Sequence, residues 1–94
     1  MPEVSVQITN ETGLHSRPAD LFVRTAKLYR SDIVVTRGDR SANAKNIIKV
    51  ILLNAGPGEM ITITANGPDA DDALSDLRRL VLSGFEKINA AVEM

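Results

Sequence analysis

Hydrophobic residues recur along this chain at two spacings, and the switches between them divide it into elements. In residues 3–8, EVSVQI, the apolar Val4, Val6 and Ile8 alternate with Ser5 and Gln7, the pattern of a strand with one buried face. After the turn-forming NETG, a helical spacing takes over. Ala19, Phe22, Val23, Ala26 and Tyr29 fall on one face, and Arg24 and Lys27 point elsewhere. DIVVTR is rich in β-branched residues and runs into Gly38-Asp39, a hairpin signal, and then into a short polar RSAN. NIIKVILL, residues 46–53, is too uniformly apolar for its period to decide. Asn46 at its start and the breaker-rich NAGPGE behind it favour a short helix. MITITA alternates again, with Ile61 and Ile63 inward and Thr62 and Thr64 outward. The final segment carries the clearest helical signature. Asp69 stands at its N-cap, Asp71 and Asp72 fall in the first turn, and Leu74, Leu77, Val81 and Phe85 share a face. Arg78 and Arg79 come late, and Gly84 marks the stop.

The predicted order is βαββαβα, with no internal repeat and no linker. A sheet with one wet, Thr- and Ser-bearing face requires the helices to cover the other, which predicts an open two-layer α/β (α+β) sandwich. One domain over residues 1–94 is expected, with residues 86–94 extending the last helix or fraying.

Composition narrows the function. The chain of 94 residues is 44% hydrophobic with two Phe, one Tyr and no Trp, so its core is aliphatic. It has no cysteine, which rules out disulfides and thiol chemistry and fits a reducing compartment. A formal charge of -1 supplies no field to draw nucleic acid or an anionic membrane. The opening MPEVSVQI lacks the basic start and apolar run of a secretion signal, and nothing reaches the roughly 18 apolar residues of a membrane span. A soluble, intracellular protein is expected.

The single histidine lies in TGLHSRPAD. A lone histidine ahead of a helix is most often an ordinary surface residue, but the neighbours of His15 are unusual. Gly13 permits a sharp turn, and Pro18 is tolerated in the first turn of a helix, where its missing N–H is no loss. Both place His15 at or just outside a helix N-cap. The N–H groups of Ser16 and Arg17 would then be free, at the positive end of the helix dipole, and the Arg17 guanidinium suits bidentate contact to phosphate. With one His, no Cys and no carboxylates spaced around it, the site offers no metal set, no cofactor cradle and no triad. A nucleophilic imidazole beside an oxyanion cradle is enough to form a phosphohistidine.

GLHSRPA resembles the active-site signature of the HPr family, the histidine-containing phosphocarriers of the bacterial phosphoenolpyruvate-dependent phosphotransferase system. The resemblance runs from the first strand to about Phe85 and includes NAKNIIKVILL. It implies an open-faced sandwich of four antiparallel strands backed by three helices. It further implies a cytoplasmic, monomeric carrier without turnover chemistry of its own. His15 would accept a phosphoryl group on Nδ1 from Enzyme I and pass it to the A domain of a sugar-specific Enzyme II. Arg17 matches the phosphate-stabilising arginine and Pro18 the helix-start proline. Arg24 and Lys27, with Ile47, Ile48, Lys49 and Leu52, match the partner-docking surface. From the residues alone, Ile47, Ile48, Ile51 and Leu52 span too wide an arc for one short helix to bury, so some should be exposed, with Ile51 in the core.

Two positions depart from the family pattern. Many Gram-positive relatives carry a regulatory serine where this chain has Asn46, which has no hydroxyl and suits a helix N-cap. Asp20 replaces a small neutral residue and puts a negative charge one turn from His15. Its plain role is favourable placement in the first turn of the helix dipole; beyond that it would raise the cost of adding a phosphoryl group or discriminate among acidic partners. Arg37-Gly38-Asp39 spells an adhesion tripeptide but reads as a hairpin tip, and Asn10-Glu11-Thr12 fits a glycosylation sequon without a secretion signal. The acidic group Asp69, Asp71, Asp72 and Asp76 reads as helix capping. The competing functions are a nitrogen-type or dihydroxyacetone-pathway relay, and a non-phosphorylated regulatory binding module.

Overall fold

The structure is a computed structural model that describes residues 2–85. The expectation for residues 86–94 lies outside the described residues. Seven elements follow in the predicted order: β1 (Glu3–Gln7), α1 (Ser16–Ala26), β2 (Asp32–Arg37), β3 (Arg40–Asn43), α2 (Ile47–Leu52), β4 (Met60–Asn66) and α3 (Ala70–Leu82). The strands form one sheet in the order β1-β4-β2-β3, with every neighbour antiparallel. β4 is inserted between β1 and β2, pairing Val6 with Ile61 on one side and Val35 with Ile63 on the other. The β2–β3 hairpin closes through Gly38-Asp39, with Arg37 opposite Arg40.

Period-two alternation decides which sheet face is wet. Val6, Ile33, Val35, Ala42, Ile61, Ile63 and Ala65 are buried on the face that the helices cover. On the other face, hydroxyls pair across strands: Ser5 with Thr62 at 3.0 Å and Thr36 with Ser41 at 3.1 Å. α1 packs against both α2 and α3, and α3 lies over β1 and β4. Phe22 and Phe85 are the largest side chains of the core. Full burial of each contributes about 1.5–3 kcal/mol. No helix among the described residues is long and apolar enough to cross a membrane.

Several expectations need correction in detail. Tyr29 does not share the α1 face, because the helix ends at Ala26; it lies half-buried in the following turn, with its hydroxyl bonded to Asp76. Phe85 is in the core but not on the helix. α3 ends at Leu82, and the Gly84 N–H bonds to the Val81 carbonyl while the Phe85 N–H bonds to the Leu80 carbonyl. This is the paired C-terminal closure that folds the next apolar side chain back onto the helix.

Asp69 occupies the N-cap position of α3 but makes no side-chain bond to the helix. Its carboxylate crosses to the loop after α1 instead. Oδ1 accepts the Ser31 hydroxyl (2.6 Å) and N–H (3.0 Å), and Oδ2 accepts the Arg30 N–H (2.9 Å). Gly67 permits this approach, since a Cβ there would fall 2.6 Å from the Ser31 Cα. The Ser31 hydroxyl, then the Arg30 amide, hold the Asp69 carboxyl below its ordinary value of 3.8. A carboxyl with a lowered folded-state pKa stabilises the fold above its unfolded value and loses that contribution as pH falls through the folded one. Asp69→Asn is therefore expected to be less stable than the parent at neutral pH. The gap in urea midpoint should narrow as pH is lowered through 3.8 and below. A gap that stays constant with pH would show that the carboxylate bonds contribute nothing.

Candidate functional site

His15 is the N-cap of α1, with extended backbone (φ -133, ψ 157) and a half-buried side chain that caps nothing. The next residue was not anticipated. Ser16 has φ 54, in the left-handed region that costs a residue with a Cβ about 1–2 kcal/mol. The chain thus turns abruptly between His15 and the helix. Ser16 and Arg17 are both exposed. Among the described residues, no protein acceptor meets the N–H of either, and none meets the Arg17 side chain. Imidazole, two unsatisfied amides and a guanidinium therefore share one helix start, where backbone dipoles favour an anion.

The residues before His15 explain its placement. Leu14 is fully buried, and its N–H donates to the Ala55 carbonyl at 2.9 Å. Gly13 has φ 66, and a Cβ there would fall 2.4 Å from the Ala55 oxygen and 2.8 Å from the Gly56 Cα. The Asn10 side-chain amide donates to the Gly13 carbonyl (2.9 Å), and the Gly13 N–H returns to the Asn10 carbonyl (3.3 Å). The loop is thus closed on itself and seated on residues 55–56.

That seat is itself fastened. Arg37, at the end of β2, donates from Nε to the Leu53 carbonyl and from Nη1 to Glu59 Oε2, both at 2.8 Å. Glu59 Oε1 accepts the Gly56 N–H at 2.7 Å. This Gly56 bond is the largest influence holding the Glu59 carboxyl below its ordinary value, and Arg37 adds to it. Sequence reasoning missed Arg37 and Glu59. Their only local signal was the pair of glycines in NAGPGE, which marked a tight segment but not its partners.

The predicted docking residues divide between α1 and α2. Asp20 lies beyond the first turn of α1, so the dipole role expected for it is not met. Its carboxylate instead pairs with Arg24 Nε at 2.9 Å. Lys27 is the exposed C-cap of α1. On α2, Ile48 (62% exposed), Leu52 (60%) and Lys49 face solvent. Ile47 is half-buried, and so is Ile51, which was expected in the core; Val50 and Leu53 are the inward residues. With only six residues, α2 places a single side chain, Val50, fully inside. Asn46 caps the helix as predicted, its Oδ1 accepting the Lys49 N–H at 3.2 Å.

A family profile described as "PTS HPr component phosphorylation site" matches residues 2–83, so the chain belongs to the HPr family. The phosphocarrier protein HPr of Vibrio cholerae serotype O1 is 44% identical over 81 residues, which is 86% of this chain and 95% of that protein. A crystal structure of HPr-C-His from Thermoanaerobacter tengcongensis is 40% identical, with a TM-score of 0.89 over 92% of this chain and 97% of that one. A structure described as an HPr dimer from the same organism has a TM-score of 0.73 at 40% identity, covering 90% and 98%.

The seating of the histidine loop predicts the behaviour of one variant. Gly13→Ala forces a Cβ into the Ala55 carbonyl and keeps a left-handed φ, at an expected cost of about 1–3 kcal/mol. Urea denaturation measures that loss, and faster amide exchange at Leu14 locates it. Unchanged exchange at Leu14 would show that the loop is held by something else.

Proposed function

We propose that this chain is a phosphocarrier of the phosphotransferase system, phosphorylated on His15. The observation that carries the reading is the placement of the half-buried His15 at the α1 N-cap, beside the Ser16 and Arg17 amides that meet no acceptor among the described residues. In the forward step, unprotonated Nδ1 attacks the phosphorus of a donor phosphohistidine on Enzyme I. The donor N–P bond breaks, its electron pair returns to the donor ring, and a new N–P bond forms on His15. Delivery to the A domain of an Enzyme II is the same exchange with His15 as leaving group. The amides and the Arg17 guanidinium stabilise the phosphoryl oxygens in both directions.

Each partner then meets the same face. Ile48 and Leu52 supply exposed apolar area, and Lys49, Lys27 and Arg24 supply charge for acidic surfaces, a composition suited to weak and brief complexes. A monomer fits this role, since one face must serve donor and acceptor in turn. No turnover chemistry is needed beyond transfer, and the donor's origin in phosphoenolpyruvate favours a cytoplasmic setting. Asn46 has no hydroxyl, so a seryl switch at that position is chemically unavailable to this chain.

Incubation with phosphoenolpyruvate and Enzyme I should yield one acid-labile, base-stable phosphate that His15→Ala abolishes. Arg17→Ala should slow its formation by about 10- to 100-fold, the worth of a charged hydrogen bond. A protein that takes no phosphate from competent Enzyme I would instead support a non-phosphorylated binding module.

A further inference from the structure

We propose that Arg37 and Glu59 are positioning residues for the phosphoryl-accepting loop, acting through the backbone seat at Ala55–Gly56. This rests on the reading of His15 as the acceptor. Neither side chain belongs to the α1 or α2 surface, yet both converge on the segment that receives Leu14. Arg37 Nε fixes the Leu53 carbonyl on one side of Ala55, and Glu59 Oε1 fixes the Gly56 N–H on the other. The 2.8 Å bond between Arg37 Nη1 and Glu59 Oε2 joins the two anchors into one bracket. Between them the Ala55 carbonyl is left to accept the Leu14 N–H at 2.9 Å, one residue before His15.

The bracket also spans the sheet. Glu59 accepts the Ile8 N–H through its own carbonyl, at 2.9 Å, so the residue just after β1, the end of β2 and the loop before β4 meet at one carboxylate-bearing residue. Asn54 beside the seat has φ 54, the left-handed position just past the α2 C-cap that asparagine tolerates. Glu59 and Arg37 are half-buried, and their fork geometry holds direction as well as distance. Loss of either anchor frees the Ala55 carbonyl to rotate. It thereby frees the loop that sets the angle between the imidazole and the amides of Ser16 and Arg17. Displacements of this kind lower transfer rates without any change in the reacting groups.

Three variants of the full chain test this: Glu59→Ala, Glu59→Gln, and the core substitution Ile33→Val as a control for general loss of stability. Glu59→Ala should speed amide exchange at Leu14 relative to the amides of β4, shift the His15 ring resonances, and slow phosphoryl transfer from Enzyme I by about tenfold. Glu59→Gln keeps an oxygen for the Gly56 N–H and should restore most of the rate. Ile33→Val should leave rate and ring resonances unchanged. Unaltered transfer in Glu59→Ala overturns the proposal, and so does a slowing that Ile33→Val reproduces. If the parent protein takes no phosphate, the carrier reading fails, and positioning is then decided by exchange and ring resonances alone. Their change in Glu59→Ala supports it, and their constancy overturns it.

Discussion

Everything at this site depends on Leu14 being entirely inside the protein while His15, its neighbour, is not. Leu14 is held from two directions, by the core around its side chain and by the Ala55 carbonyl on its N–H. Gly13 is the only kind of residue that can pass so close to that carbonyl. Once those two positions are fixed, His15 falls at the N-cap of α1 with its side chain half-buried. A mobile histidine would reach the same phosphorus only part of the time. A seated one spends the ordering entropy during folding rather than at each transfer.

The rest of the fold serves this edge. The helix-covered face of the sheet supplies an aliphatic base, and the antiparallel insertion of β4 brings the loop before it beside the loop after β1. The surface around His15 is chemically mixed. Ile48 and Leu52 leave apolar area open to solvent on α2. The Asp20–Arg24 pair is exposed and therefore worth little to stability.

The elements were legible in the sequence wherever period and breakers agreed. Alternation placed Ile61 and Ile63 inside, the Gly38-Asp39 pair placed the hairpin, and Asn46 placed the start of α2. GLHSRPA marked the candidate site because its signals are local: a glycine for the turn, a proline for the helix start, and amides between that meet no acceptor among the described residues. What stayed illegible was decided by groups far apart in the chain. Asp69 looked like a cap because its partners, Arg30 and Ser31, are 39 and 38 residues away. Arg37 was read within a hairpin tip, while its carboxylate lies 22 residues further on. The left-handed backbone of Ser16 has no signature in composition, since serine does not prefer it; the seated loop and the helix impose it together.

The most direct measurement follows the amide protons of Ser16 and Arg17 by NMR as His15 is phosphorylated. If the two amides and the imidazole form one cradle, both protons shift strongly downfield as they take up phosphoryl oxygens, while amides of the central strands stay in place. Phosphorylation of His15 that leaves both amide protons where they were would contradict the cradle. It would mean that the helix start plays no part in holding the group.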